Sequence, residues 1–265
     1  MNAESLAVSA GIPASSMPAG RALRAYLVET KYAFRAVLRA PVFLVLMIAM
    51  PILMYLLIGI GVAGSQAADD PKVALFLFSG FLVFAVSSPG LFGFGIGLAV
   101  ERQSGVLNLK RVQPMPAAAC LLSKMITAMA STGLIILLLI PLALWLGHVH
   151  LSAGQIANLV WISMIGVLPF CSIGFLIGTI VSGTAAPGVV NVFLLPMLYL
   201  SGIFLPLPSM LQPQVFLWPT FYLNQIIWNA AGIESVLDIK ISVAVLLGIT
   251  VLCTGLATRR LSRVG

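Results

Sequence analysis

Residues 121–147 read LLSKMITAMASTGLIILLLIPLALWLG. The only ionisable side chain in this stretch is Lys124, close to its start. A bilayer hydrocarbon core about 30 Å thick is crossed by roughly 20 apolar residues in helical form, and this run is longer than that. It does not show the short alternating strands of a lipid-embedded barrel. Five other stretches share its character: 41–64, 73–99, 155–181, 187–207 and 238–257. The expected fold is therefore an all-α integral membrane protein with six transmembrane helices.

The composition agrees. Of the 265 residues, 60% are hydrophobic and 8% charged, against roughly 25% charged in an ordinary soluble domain. Mean hydropathy is +1.11. The formal net charge of +7 could point to nucleic acid, but the basic residues lie in short segments between apolar runs, which is a topology pattern. No nucleic-acid partner is expected, and membrane lipid is. Cys120, Cys171 and Cys253 form no CxxC pair and read as small buried hydrophobes. Residues 1–20, rich in Ala, Ser and Pro, lack a basic start followed by an apolar stretch. They read as a mobile tail, not a secretory signal.

Arg21, Arg24, Lys31, Arg35 and Arg39 precede the first span. Arg102, Lys110, Arg111 and Lys124 lie around the second connection, and Arg259, Arg260 and Arg263 follow the last span. The alternate connections hold only Lys72 and Lys240, beside Asp69, Asp70, Glu234 and Asp238. The positive-inside rule then places both termini in the cytoplasm of a cell whose inner or plasma membrane holds the chain.

Residues 21–40 carry Leu23, Leu27, Phe34 and Leu38 at helical spacing, next to a stripe of Arg24, Lys31, Arg35 and Arg39. This predicts an amphipathic interfacial helix on the cytoplasmic side. In 205–237, Pro206, Pro208, Pro213 and Pro219 cut the chain into pieces too short to cross. The aromatic residues Phe216, Trp218, Phe221, Tyr222 and Trp228 suit short broken helices at the outer interface, lying on it or dipping back into the membrane, either as an aromatic belt or as a gate. The expected organisation is a tail (1–20), the amphipathic helix (21–40), a six-span domain (41–257) and a basic cytoplasmic tail (258–265). Pro51, Pro89, Pro141, Pro169 and Pro196 predict kinks within spans. Gly93 and Gly97, like Gly174 and Gly178, have GxxxG spacing that lets helices approach closely, within one chain or between subunits.

Several chemistries find no support. No GxxxxGK[ST] phosphate loop occurs, so no such ATP hydrolysis and no cofactor site are expected in this chain. Ionisable residues sit at span ends, not at mid-depth as in proton- or sodium-coupled carriers; sodium held by backbone carbonyls stays open. His148 and His150 form an HxH pair, but two ligands make a poor metal site, and no catalytic or metal residues are assigned. Uphill transport would need energy from a partner.

One stretch reads Glu101-Arg102-Gln103-Ser104-Gly105-Val106-Leu107-Asn108-Leu109-Lys110, then Pro114-Met115-Pro116 and Lys124. A later one reads Ser201-Gly202-Ile203-Phe204-Leu205-Pro206-Leu207-Pro208, then Pro219. With six spans and a basic N-terminal helix, these patterns in this order resemble the type-2 exporter permeases of the ATP-binding-cassette (ABC) superfamily, over nearly the whole chain after residue 20. The resemblance implies a permease subunit that pairs with a second copy or a related permease and with a soluble ATPase subunit, which binds the ATP and Mg. It implies that Glu101, Arg102, Gly105, Leu107 and Leu109 belong to the element that couples to the ATPase. Without the resemblance, that stretch is a topology-setting basic loop. Ser201, Gly202, Pro206, Phe216, Trp218, Phe221 and Tyr222 are implied to cap the pathway on the outer side. Many members carry an arginine where Asn224 to Asn229 lie here, and this stretch has none, so no substrate class carries over. The expected function is export of an amphipathic, drug-like or lipid-linked substrate; a non-transport scaffold and an ATP-independent channel or carrier are the alternatives.

The charge distribution makes the topology testable with single cysteines and an impermeant thiol reagent on intact cells. Positions 65, 152 and 209 should label and positions 104 and 262 should not. Labelling of 104 from outside would reverse or break the topology.

Overall fold

The structure is a computed structural model, and it describes residues 28, 30–32, 34, 35, 41–62, 64, 69–106, 117–204 and 208–263. Among these residues it is helical without strands. Helix α1 (Pro41–Met54) continues as a π-helical stretch, Tyr55–Val62. Helix α2 is one rod, Pro71–Gln103, α-helical to Ser88, π-helical over Pro89–Ile96 and α-helical again from Gly97. Then follow α3 (Ala117–Trp145), α4 (Ala153–Ile180), α5 (Ala186–Leu200), a 3-10 segment (Ser209–Leu217), α6 (Pro219–Ala231) and α7 (Ile239–Arg263). The family of apolar runs quoted above maps onto these helices with shifted ends, and α7 carries the supposed C-terminal tail on as helix to Arg263. Of the expected amphipathic helix, residues 28, 30–32, 34 and 35 are helical, with Lys31, Phe34 and Arg35 exposed; the rest of 21–40 and the tail 1–20 lie outside the described residues.

Local sequence fixes the helix starts. Asp70 caps α2, accepting the Lys72 N–H at 2.8 Å, with Pro71 in the first turn where a missing N–H costs nothing. Ser152 and Gln155 form a capping box on α4: the Ser152 Oγ accepts the Gln155 N–H at 3.3 Å, and the Gln155 Oε1 accepts the Ser152 N–H at 2.8 Å. Asp238 accepts the Lys240 N–H at the start of α7.

Helix α4 is the hub, packing against α2, α3, α5, α6 and α7. The apolar interior around it includes Leu82, Val86, Leu91, Ile135, Leu139, Phe170 and Phe175, all buried. Lipid tails are as apolar as leucine, so helices in a bilayer are held by close packing and hydrogen bonds, not by expelling water. The closest packing is between α2 and α4. A Cβ on Gly174 would stand 2.6 Å from the Gly90 carbonyl oxygen, one on Gly95 would stand 2.7 Å from the Gly174 Cα, and one on Gly178 would stand 2.6 Å from the Gly95 carbonyl oxygen.

The Gly174/Gly178 pair therefore acts within one chain. Its partners are Gly90 and Gly95, and Gly97, whose GxxxG spacing suggested close packing, has nothing within 4 Å of its would-be Cβ. The π turn is the physical reason. It bonds residue i to i+5, so residues five apart share a face, where an α-helix would bring together residues four apart. Pro89 opens that turn, so its effect on α2 is a change of helical register.

Four described helices are long and apolar enough to cross a membrane: Pro71–Gln103, Leu121–Trp145, Ala153–Ile180 and Ile239–Leu261. Ile48–Val62 and Ala186–Leu200 are apolar but shorter. The expected fifth span, 187–207, needs correction. Helix α5 stops at Leu200, and its 15 residues reach only about 22 Å. The stop is made by Gly202, at φ 74°, a left-handed conformation that glycine adopts without penalty and that ends a helix.

Substituting Gly174 by alanine should lower the thermal midpoint of the purified protein in detergent by several degrees, since both facing atoms are backbone and cannot yield. Such overpacking costs about 1–3 kcal/mol. Gly248→Ala, with open space around it, is the control. Equal behaviour of the two variants would refute the α2–α4 contact.

Candidate functional site

Two regions gather the residues singled out in the sequence. The first is at the basic end of the bundle, where α2 finishes. Arg102 turns inward. Its Nη2 donates to the Val181 carbonyl at 2.9 Å, and its Nη1 donates to the Thr179 carbonyl. These are among the last carbonyls of α4, which have no partner within their own helix. A guanidinium there also meets the negative end of the helix dipole. The neighbouring Gln103 accepts the Thr184 N–H at 3.2 Å. The Val100 Cα would be 2.9 Å from a Cβ on Gly183, so the α2 end and the α4–α5 connection touch directly.

Glu101 faces the other way. Its Oε1 is 2.6 Å from the Lys124 Nζ, with Lys124 10% exposed and Glu101 29% exposed. Lys124 is buried in an ion pair that ties α2 to α3. Glu101 Oε2 is buried with no partner. Glu101 and Arg102 thus direct their charge into the chain, one to α3 and one to α4. After them the chain turns at Gly105 (φ 76°), and Val106 is exposed. Leu107 and Leu109 lie outside the described residues.

The second region is the break after α5. Ser201 is buried, with its hydroxyl on the Leu198 carbonyl at 3.1 Å; Pro206 lies outside the described residues. Helix α6 starts beside the last turns of α5. The Thr220 hydroxyl donates to the Met197 carbonyl at 2.9 Å, and the Trp218 and Phe193 rings are 6.4 Å apart. Counting from helix ends gives the depth. Ile203 meets Gly80, roughly 14 Å into α2, and Leu223 meets Gly166, roughly 20 Å into α4. Helix α6 then climbs to the far end, where Gln155 Nε2 donates to the Ala231 carbonyl at 2.8 Å.

The aromatic cluster is accordingly set deep. Phe221 and Tyr222 are each 8% exposed. Tyr222 donates its hydroxyl to the Phe216 carbonyl at 2.7 Å, and Phe216 packs edge-on against Phe221 at 5.3 Å. Phe216 itself is 49% exposed. These residues gather at the start of α6 and at the end of the 3-10 segment before it. Asn224 Oδ1, Trp218 Nε1 and Gln214 Nε2 are buried nearby in sequence without a partner, each costing on the order of 1–3 kcal/mol. Among the described residues no group of three or more His, Cys, Asp or Glu that could hold a metal ion comes together, at His148 and His150 or elsewhere.

Sequence reasoning missed Gln155, and it named Trp228 without its partner. The spacing of Ser152 and Gln155 was a readable helix start, but nothing signalled that the same amide would hold α6. The bond from Trp228 Nε1 to Ser79 Oγ, 2.8 Å long across 149 residues, left no local trace.

Among the described residues the chain is all helical, with four helices long and apolar enough to cross a membrane and two shorter apolar ones. The family model for ABC-2 type transporters matches residues 24–239, and the chain belongs to that family. Comparison with curated proteins gives no match.

The ion pair predicts an asymmetry. Lys124→Met alone strands a largely buried carboxylate and should destabilise by about 1–3 kcal/mol, below the figure for fully buried pairs because Glu101 keeps some solvent. Adding Glu101→Leu should restore most of the loss in detergent melting curves. A double variant as unstable as the sum of the singles would show that the pair does not interact.

Proposed function

We propose that this chain is the permease subunit of an ABC exporter. It moves an amphipathic, drug-like or lipid-linked substrate outward, with energy from a separate soluble ATPase subunit that binds ATP and Mg. It works beside a second permease copy or a related permease, in the inner or plasma membrane with the basic end cytoplasmic. Helices α5 and α6 together count as the fifth of six crossings.

The observation that carries this reading is the double brace at the end of α2. A segment that receives force must hand it on without yielding. Here the residues that open the 101–116 segment are fixed to α3 through Lys124 and to α4 through its terminal carbonyls. Movement imposed on Leu107 and Leu109 by a partner would therefore reach three long helices at once. In this reading Gly105 sets the direction of the segment, Leu107 and Leu109 dock on the ATPase, and Glu101 and Arg102 transmit the motion.

At the other end of the path, Ser201, Gly202, Pro206, Phe216, Trp218, Phe221 and Tyr222 would form the movable barrier. The stranded polar atoms of Gln214, Trp218 and Asn224 support it, because a second conformation or a passing substrate can satisfy them. The exposed apolar face of the 3-10 segment, with Met210 92% and Leu217 75% exposed, supports a second permease against it. The chain would perform no covalent chemistry.

A Leu107→Ser/Leu109→Ser variant, co-reconstituted with the ATPase subunit, should insert and melt normally while transport falls at least tenfold and partner copurification weakens. Arg102→Ala should keep partner binding but lose transport. Full transport by the leucine variant with normal partner binding would return the segment to a topology-setting loop and favour a scaffold or an ATP-independent carrier.

A further inference from the structure

Between α4, α6 and α7 lies a cavity of about 250 Å³. Its walls include Gly166 and Pro169 of α4, Leu223 and Ile226 of α6, and Leu246 and Thr250 of α7. Thr250 is the polar side chain in its lining, and its hydroxyl is already used on the Leu246 carbonyl at 2.8 Å. The lining therefore offers at most one spare acceptor, the Thr250 oxygen, where a buried water needs two to four polar partners. Apolar cavities of this kind stay dry and take apolar guests; one of about 150 Å³ accepts benzene.

The cavity also has an identifiable neighbour. Its rim residues Ile165 and Leu247 are 52% and 55% exposed. The most apolar stretch of α7 has only 17% of its residues buried in the protein, so that helix is sheathed by hydrocarbon. Gly166 sits roughly 20 Å from the start of α4, a depth at which the medium beside the rim is lipid tails.

We propose that this cavity is a binding site for one acyl chain of a membrane phospholipid, inserted from the bilayer between the exposed rim residues of α4 and α7. Its inner wall is α6, the second half of the divided crossing. An inserted chain fills the space behind that helix and sets how far it can swing away from α4. The headgroup stays outside, so the site selects for chain and not for headgroup. This inference rests on the chain being membrane-embedded and does not depend on what it exports.

The test is photolabelling in liposomes with a phosphatidylcholine bearing a mid-chain diazirine, followed by peptide mapping. Labels should appear on the inner-wall residues Leu223 and Ile226 as well as on the lipid-facing control Val251, which is 70% exposed. Val243→Phe, at the 39% exposed rim position, should cut inner-wall labelling at least fivefold and leave Val251 labelling unchanged. Ile226→Phe is a second filling variant from the opposite wall, should either fold poorly. Labelling confined to Val251 and other exposed positions would overturn the proposal. So would inner-wall labelling indifferent to both variants, or cross-links joining two copies of the chain through these residues.

Discussion

The arrangement depends on the approach of two backbones, α2 over Gly90 and Gly95 and α4 over Gly174 and Gly178. In a bilayer nothing squeezes helices together by expelling water, so contact distance carries an unusual share of the stability. A backbone pair this close fixes rotation as well as separation, because turning either helix brings a side chain into the gap. The π turn that begins at Pro89 is what presents the two glycines together. It also sets the phase of everything after it on α2. Glu101 and Arg102 follow within two turns, and they reach Lys124 and the α4 carbonyls only in that phase.

Much of the fold was legible because the bilayer imposes length and polarity on each span. Residues 121–147 and 155–181 could hardly be anything but long helices, and both are. The π turn was not legible. It changes which glycines face α4 without altering composition, so a GxxxG search selects Gly93 and Gly97 and misses Gly90 and Gly95. The end of α5 was half-written: Ser201 and Gly202 carry a stop signal, but apolar residues run on through Phe204 and Leu205, and hydropathy cannot distinguish a helix from an apolar turn. The inward direction of Arg102 was invisible for another reason. Its partners are backbone carbonyls, and carbonyls have no sequence identity.

The divided crossing has its own physical logic. A continuous helix satisfies its backbone internally, so a break at depth leaves carbonyls of one half and N–H groups of the other without helical partners. Here side chains take up part of that demand. Thr220 uses the Met197 carbonyl, Ser201 uses the Leu198 carbonyl, and Tyr222 uses the Phe216 carbonyl. Each of these bonds is local to the break: Thr220 joins α6 to α5 and Tyr222 joins α6 to the 3-10 segment, while Ser201 closes the end of α5 on itself. The demand is met only in part, since the polar atoms of Gln214, Trp218 and Asn224 stay without a partner.

Set against that break, the position of α4 explains how two distant regions can act on one another. Its first turn is tied to the end of α6 by Gln155, and its last carbonyls are held by Arg102. Between them runs a single helix, Ala153–Ile180, with a proline, Pro169, at the depth of the cavity. A rigid rod clamped at both ends carries displacement from one clamp to the other, and the direction of α6 depends on where that rod stands. The same rod forms one wall of the apolar cavity while α6 forms another. On the coupling role proposed for the end of α2, lipid held in that space would resist displacement of α4 against α6.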